Sequence, residues 1–414
     1  MDQLRYKPIA YVVSEELVKI SSLLPSNKNR SLLVHSLFSA LRLPYFQFPN
    51  GNRCIQILKP RRASPKELSI YHTHEYLEYA LNPHNSAEST GLQGVEFGLE
   101  DDCPPFHGLH EYIRLVAGAT LTAVDALKDD TADIAICWDG GRHHAQKSHA
   151  AGFCYVADCI LAILALKRPN ILANPVKKPR VMYLDLDLHF SDGVSQAFHS
   201  TGSTGTSQVL TVSMHHTAPG FYPVSSLSNI ADTASPSFDP FCLSVPLKQG
   251  ASNNTFLRIW PIIERIKDVF DPDYFVIQCG VDGLAGDPMM IWNWSLGGEG
   301  SLGWCVDRIV NRWQGQKLFL GGGGYNSVNA ARAWAYLTAI AIGSPLALDT
   351  EIPHHNAFPQ YQPSFTLDVP AGYMQDQNTE EYLKVVEDHF DSVINILQDR
   401  LGPAGAGSSN TTLD

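Results

Sequence analysis

Residues 181–189 read Val181-Met182-Tyr183-Leu184-Asp185-Leu186-Asp187-Leu188-His189, an apolar run that ends in two carboxylates and an imidazole. In an extended strand successive side chains alternate faces, so Asp185, Asp187 and His189 share one side while Leu186 and Leu188 pack on the other. Crowding those groups at the end of a buried strand is costly unless a cation or a hydrogen-bond network compensates them. A divalent metal is the economical compensation. Asp and His donors suit zinc or another first-row ion, and three protein ligands with a fourth position open make such a site catalytic. The plain alternative is that Asp185 caps a loop and His189 is a satisfied surface histidine.

Other strand-like runs end the same way. Residues 133–138 (DIAICW) lead into Asp139-Gly140-Gly141-Arg142-His143-His144, residues 209–214 (VLTVSM) into His215-His216, residues 274–279 (YFVIQC) into Gly280-Val281-Asp282, and residues 317–320 (KLFL) into four glycines, Tyr325 and Asn326. Helical patterns lie between several of them, which reads as an α/β protein: one domain with a central, mostly parallel β-sheet covered by helices on both faces. In such sheets the binding site lies beyond the carboxyl ends of the strands, where the polar residues collect here. The proposed ligands are Asp187, His189 and Asp282, with His143 and His144 for proton transfer and Asp185 and Asp192 to fix their tautomers. The glycines at 321–324 let backbone approach a ligand and allow Tyr325 to offer its O–H to an oxyanion. The rival reading of a phosphate cradle lacks its Lys-Ser/Thr partner.

From about residue 11 to about residue 398 the chain resembles a zinc-dependent histone deacetylase of class I, in the arginase/deacetylase fold. Nine motifs carry the resemblance in order: Arg30-Ser31-Leu32-Leu33-Val34-His35-Ser36-Leu37, His72-Thr73-His74-Glu75-Tyr76-Leu77, Asp102-Cys103-Pro104, Gly140-Gly141-Arg142-His143-His144-Ala145, Gly152-Phe153-Cys154-Tyr155, Asp185-Leu186-Asp187-Leu188-His189, Pro219-Gly220-Phe221-Tyr222-Pro223, Asp282-Gly283-Leu284-Ala285-Gly286-Asp287-Pro288-Met289, and residues 321–326. The nearest branch lacks a long C-terminal tail and includes fungal enzymes with Gly-Gly-Arg-His-His.

The resemblance implies one Zn²⁺ on Asp187, His189 and Asp282, and hydrolysis of the acetyl amide of N6-acetyl-lysine by a metal-activated water. His144 acts as general base and then acid, His143 mainly as charge, and Tyr325 stabilises the oxyanion. Phe153 and Tyr222 wall a tunnel for the lysine methylenes, Gly152 accepts the amide N–H, Met289 lies near the floor and Asp102 holds the substrate backbone at the rim. Structural monovalent cations, expected as K⁺, sit near Asp185, Asp187, His189, Ser213 and Met214, and near Phe198 and Thr201. Arg30 matches an arginine lining an internal acetate channel. Arg142 would add a second cation that attracts acetate and depresses the histidine pKa values, unless it pairs with a carboxylate such as Asp139.

Departures from the family pattern are expected to alter the rim and the second cation site. His189-Phe190-Ser191-Asp192-Gly193 lacks the usual second histidine, residues 200–208 form a longer segment, and residues 224–240 lack the usual glycine-rich pattern. An inositol phosphate-bridged corepressor is not expected. Residues 24–30 (LPSNKNR) carry few positive charges, and Pro288 stands where corepressor-dependent relatives have an arginine.

No linker or charge block divides the 414 residues, so residues 1–402 read as one deacetylase domain and residues 403–414, small and polar, as a flexible tail. Thirty Lys+Arg against 42 Asp+Glu give a formal charge of −12, which disfavours direct nucleic-acid binding and suits acetylated lysine-rich proteins such as histone tails or cohesin-type chromosomal proteins. The eight cysteines form no CxxC pair, residues 1–8 are no signal peptide, and no apolar run approaches the roughly 20 residues that span a bilayer. The expected location is nuclear and/or cytoplasmic. Basic clusters at 59–62 and 177–180 read as solvated loops or import signals, and His107, His110, His354 and His355 as loop or cap residues.

The rivals are a small-molecule acetyl-amide deacetylase of the same fold and a catalytically dead binding module. Leucine at 186 and 188 leaves only one full ligand set where an arginase needs two, no acidic gate insertion marks a polyamine deacetylase, and intact ligands oppose the dead module.

Overall fold

The computed structural model describes residues 7–45, 53–85, 92–169, 177–201 and 205–402. The expected tail at 403–414 lies outside them. Eight strands, β1 (Ile9–Val12), β2 (Ile55–Leu58), β3 (Ile134–Cys137), β4 (Val181–Asp185), β5 (Val209–His216), β6 (Cys242–Leu247), β7 (Tyr274–Gln278) and β8 (Gln316–Leu320), form one sheet in the order β2-β1-β3-β8-β7-β4-β5-β6. Every pairing is parallel.

Parallel strands need crossovers, and crossover helices cover both faces of the sheet. Strand alternation divides the core accordingly. Met182, Leu184, Phe275 and Ile277 pack on one face with the helices Arg30–Ala40, Asn253–Phe270 and Ser327–Ile342, whereas Val181, Tyr183 and Val276 face the opposite core, with Leu109–Lys128 and Asp158–Leu166. Burial on both sides explains why these strands read as continuous apolar runs.

Two boundaries differ from the sequence reading. The extended stretch expected to reach His189 leaves the ladder at Asp185. There Asp185 Oδ1 accepts the Asp187 amide at 3.0 Å and Asp187 Oδ1 the His189 amide at 3.1 Å, side-chain turns that interrupt the regular ladder. The Leu186 amide still donates to the Gln278 carbonyl at 3.0 Å, and the Leu188 carbonyl accepts the His216 amide at 2.8 Å. The inward–outward division survives, because Leu186 and Leu188 remain fully buried in the same core as Leu184. Conversely β5 runs on through His215 and His216, since β6 keeps pairing with it as far as Leu247. That strand tolerates Pro246 because it lies at the sheet edge.

The four central neighbours, β3, β8, β7 and β4, carry at their carboxyl ends the histidine doublet, the glycine run with Tyr325, Asp282 and the Asp187–His189 pair.

Candidate active site

At the end of β4 the two side-chain turns aim Asp187 and His189 inward. The loop after β7 brings Asp282, whose Oδ1 accepts the Leu188 amide at 2.9 Å. His189 Nδ1 then lies 2.8 Å from Asp282 Oδ2 and 3.4 Å from Asp187 Oδ1, and one donor atom from each residue falls within 4.8 Å of the others, all buried. Ligands of a tetrahedral ion at about 2.0–2.1 Å stand roughly 3.3 Å apart, so the set fits one small divalent cation. Among the described residues no second such group occurs. Two buried carboxylates on one imidazole need that charge. Without a cation, burial and the charge of Asp187 push Asp282 up to about 7. Burial opposes charge at His189, but its hydrogen bonds to Asp187 and Asp282 prevail and raise it to about 10, so a metal must displace a proton there.

Asp158 shapes the loop after β3, accepting the Gly141 and Arg142 amides at 2.9 and 2.7 Å and the Thr120 hydroxyl at 2.6 Å. The loop delivers two adjacent imidazoles, tilted by 53° to each other with ring centroids 4.0 Å apart. His143 Nδ1 lies 2.8 Å from Asp185 Oδ2 and His144 Nδ1 lies 2.7 Å from Asp192 Oδ1. Each carboxylate fixes an Nδ1–H tautomer and leaves Nε2 to the site. Asp185 also accepts the Tyr183 hydroxyl. Burial disfavours charge on both rings. At His143 the Asp185 and Asp187 carboxylates outweigh it and raise the pKa to about 9, while at His144 burial joins the neighbouring His143 and lowers it. Paired groups driven apart in this way divide into a charged and a neutral partner. Arg142 is not among the leading influences on either histidine, whose protonation is set by burial, by the nearby carboxylates and by the other imidazoles.

Aromatic rings enclose the centre. Phe153 meets Tyr325 at 5.5 Å, Tyr222 meets His144 edge-on at 5.1 Å, and Phe221 lies parallel to His189 at 5.3 Å. A Cβ on Gly152, at φ +54°, would fall 2.3 Å from the His144 ring, so only glycine lets this wall close on the histidine. The Gly152 amide donates to Asp102 Oδ2 at 2.8 Å. Met289 is half-buried against the core. After β8, Asp287 Oδ2 accepts the amides of Tyr325 and Asn326 at 2.8 and 3.1 Å and anchors the tyrosine loop. Burial, then Asp282 and Asp187, push the Tyr325 phenol well up, so it keeps its proton.

Of the first cation set, Ser213, within β5, pairs in register with Asp185 at the end of β4, and both are buried, as are Asp187, His189 and Met214. Of the second, Phe198 closes the helix Asp192–Phe198 and Thr201 is exposed beside residues 202–204, which lie outside the described ones. Arg142 Nη2 donates to the main-chain carbonyl of Asp139 at 2.9 Å, while the Asp139 carboxylate faces His35 Nε2 at 3.0 Å. Arg142 thus makes no hydrogen bond to the carboxylate suggested for it, and with Arg30 it lines a small cavity. Three cations of the basic clusters are paired locally: Arg61 with Glu67 and Asp125, Arg62 with Glu16 and Glu111, and Lys177 with Asp273. His355 Nδ1 faces the Pro353 carbonyl at 2.8 Å and His110 faces Glu111.

Sequence reasoning passed over Asp158, Tyr183, Asp287 and Gln278. Gln278 had a signal, as the single polar side chain in the strand YFVIQ.

A buried three-ligand centre beside two carboxylate-backed imidazoles, at the carboxyl ends of adjacent parallel strands, is the equipment of a metal-assisted hydrolase. Residues 24–341 match the family model described as histone deacetylase domain. The chain is 36% identical over 386 residues to histone deacetylase 8 of Danio rerio, covering 93% of this chain and 94% of that protein. It is 35% identical over 390 residues to histone deacetylase 8 of Xenopus tropicalis, covering 93% and 98%, and 33% identical over 338 residues to histone deacetylase 1 of Homo sapiens, covering 81% and 65%. The chain belongs to the histone deacetylase family of hydrolases. Among the described residues no helix is long and apolar enough to cross a membrane.

Proposed function

We propose that this chain hydrolyses the acetyl amide of N6-acetyl-lysine in proteins, releasing acetate and lysine. One observation carries the reading: the Asp187, His189 and Asp282 donors converge beside His143 and His144, each of which is hydrogen-bonded to its own carboxylate. Asp187, His189 and Asp282 would hold Zn²⁺. Bound there, zinc supplies a Lewis acid and lowers the pKa of a water. His144, neutral and tautomerically fixed by Asp192, takes a proton at Nε2 from the attacking water and returns it to the leaving lysine amine. His143, charged beside Asp185, and the Tyr325 O–H stabilise the oxyanion. Phe153 and Tyr222 grip the apolar lysine stem, Gly152 accepts the amide N–H, and Met289 lies near the tunnel floor. Asp102, with one oxygen on the Gly152 amide, keeps the other for the substrate backbone.

The acidic total favours lysine-rich substrates, histone tails and chromosomal proteins of the cohesin type, in the nucleus and/or cytoplasm. K⁺ beside Asp185 and Ser213 would have a structural role, and the chain would work without an inositol phosphate-bridged corepressor. The test is acetate release by purified, zinc-loaded chain from an acetyl-lysine peptide and from an acetylated polyamine. Turnover of the peptide supports the proposal. Turnover of the polyamine alone would transfer the chain to small-molecule deacetylation.

A further inference from the structure

Gln278, the last residue of β7, is fully buried and touches the metal-ligand side and the histidine side of the site at once. Its Oε1 accepts the Gly280 amide at 2.7 Å, which fixes the amide orientation: Nε2 must face Asp187 Oδ2, at 2.8 Å, and the Gly141 carbonyl, at 3.3 Å. Swapping the two atoms would set an oxygen against two acceptors and a nitrogen against a donor. The fold reserves space for this group. Gly322 adopts φ +148°, and a Cβ there would lie 2.2 Å from Nε2 and 2.6 Å from Cδ of Gln278.

The consequence falls on Asp187. Its Oδ2 accepts two N–H donors, from Gln278 and from the Gly323 amide at 2.7 Å. Its Oδ1 faces His189, with Nδ1 at 3.4 Å, and His143 Nε2 at 3.8 Å. Oδ2 is thus held by two donors outside the ligand set, whereas Oδ1, which also accepts the His189 amide at 3.1 Å, is turned to the ligand cluster. Partners behind a ligand that orient it in this way typically change metal affinity by about 10–100-fold when removed.

We propose that Gln278 is a positioning residue: by occupying Oδ2 of Asp187 it presents that carboxylate to the metal through Oδ1 alone, holding the centre at three single-point protein ligands with a position left open. This role rests on the zinc reading of Asp187, His189 and Asp282. Glutamate has the same shape and can accept from Gly280, but an ionised carboxylate cannot donate to Asp187. Methionine is of similar length and does neither.

The experiment strips metal from the full chain and from Gln278→Met and Gln278→Glu, confirms folding by circular dichroism, and titrates Zn²⁺ and Co²⁺ in competition with a chromophoric chelator while recording the Co²⁺ visible spectrum. Expected are Zn²⁺ binding to Gln278→Met weaker by about 10–100-fold and, in both variants, weakened visible bands as Oδ2, left with the Gly323 amide alone, turns toward the coordination sphere. Wild-type affinity and spectrum in the folded variants would overturn the role of Gln278 and leave the zinc reading standing. Failure of the unsubstituted chain to bind Zn²⁺ would overturn both. Should Gln278→Met fail to fold, the spectrum of the isosteric Gln278→Glu decides.

Discussion

His144 Nδ1 lies 2.7 Å from Oδ1 of Asp192, a residue 48 positions further along the chain, at the start of the helix Asp192–Phe198. The second oxygen of Asp192 accepts the Gln146 side-chain amide at 3.1 Å. The ring is therefore held in one tautomer and one orientation, and the protons it can exchange with a substrate pass through Nε2 alone.

The charge division between the histidines, on the proposed mechanism, is expected to give a bell-shaped pH profile. His144 must be neutral to accept a proton, so activity falls as pH drops through its pKa, which burial and His143 hold below the ordinary value of about 6.5. In the proposed mechanism His143 is charged, and activity is expected to fall at alkaline pH, above the range in which Asp185 sustains that charge. Asp185→Asn removes the leading charge that raises His143 and moves the alkaline limb of kcat/KM to lower pH. An unmoved alkaline limb would show that His143 does not act as a cation.

Tyr325→Phe removes one oxyanion donor without touching a ligand. It is expected to keep its metal and to lose on the order of 10²-fold or more in kcat. Asp187→Ala and Asp282→Ala are expected to lose both metal and turnover. Metal analysis beside steady-state kinetics separates the cases, and near-normal turnover of metal-loaded Tyr325→Phe refutes the assigned role.

Arg142 and Arg30 line one small cavity, and Arg142 together with burial lowers the Arg30 guanidinium to about 10, with burial the larger influence. Two buried guanidinium groups attract a carboxylate anion. Arg142→Leu is expected to weaken product inhibition by acetate. Acetate inhibition equal to that of the unsubstituted chain would assign Arg142 to loop structure through the Asp139 carbonyl.

Arg30, the cation that closes the stretch 24–30, is buried and donates to the Gly324 carbonyl at 2.9 Å, so it does not serve a surface anion. Deacetylation of an acetyl-lysine peptide is expected to proceed at a rate insensitive to added inositol polyphosphate. Strong activation by that ligand with a corepressor fragment would contradict stand-alone activity.

The ligand motif and its strand context were legible in the residues because period-2 alternation and buried apolar runs are local properties, readable over five to eight positions. Asp185, Asp187, His189 and the histidine doublet stand in continuous motifs, and Leu186 and Leu188 marked the core side correctly even where the ladder had ended. Strands β1, β2 and β6 were passed over, being short or at the edges of the sheet, where half-exposure or a proline weakens the pattern. Only the tertiary structure decided which distant groups complete the site. Asp192, already proposed from the sequence behind the doublet, is matched to His144, while Asp158 shapes the loop before the doublet, Asp287 anchors the tyrosine loop, and Gln278 stands behind Asp187. Such pairings depend on the order β3-β8-β7-β4, which brings together strand ends far apart in the chain. Hydrogen bonds act over about 3 Å in space and leave no periodic trace along the sequence.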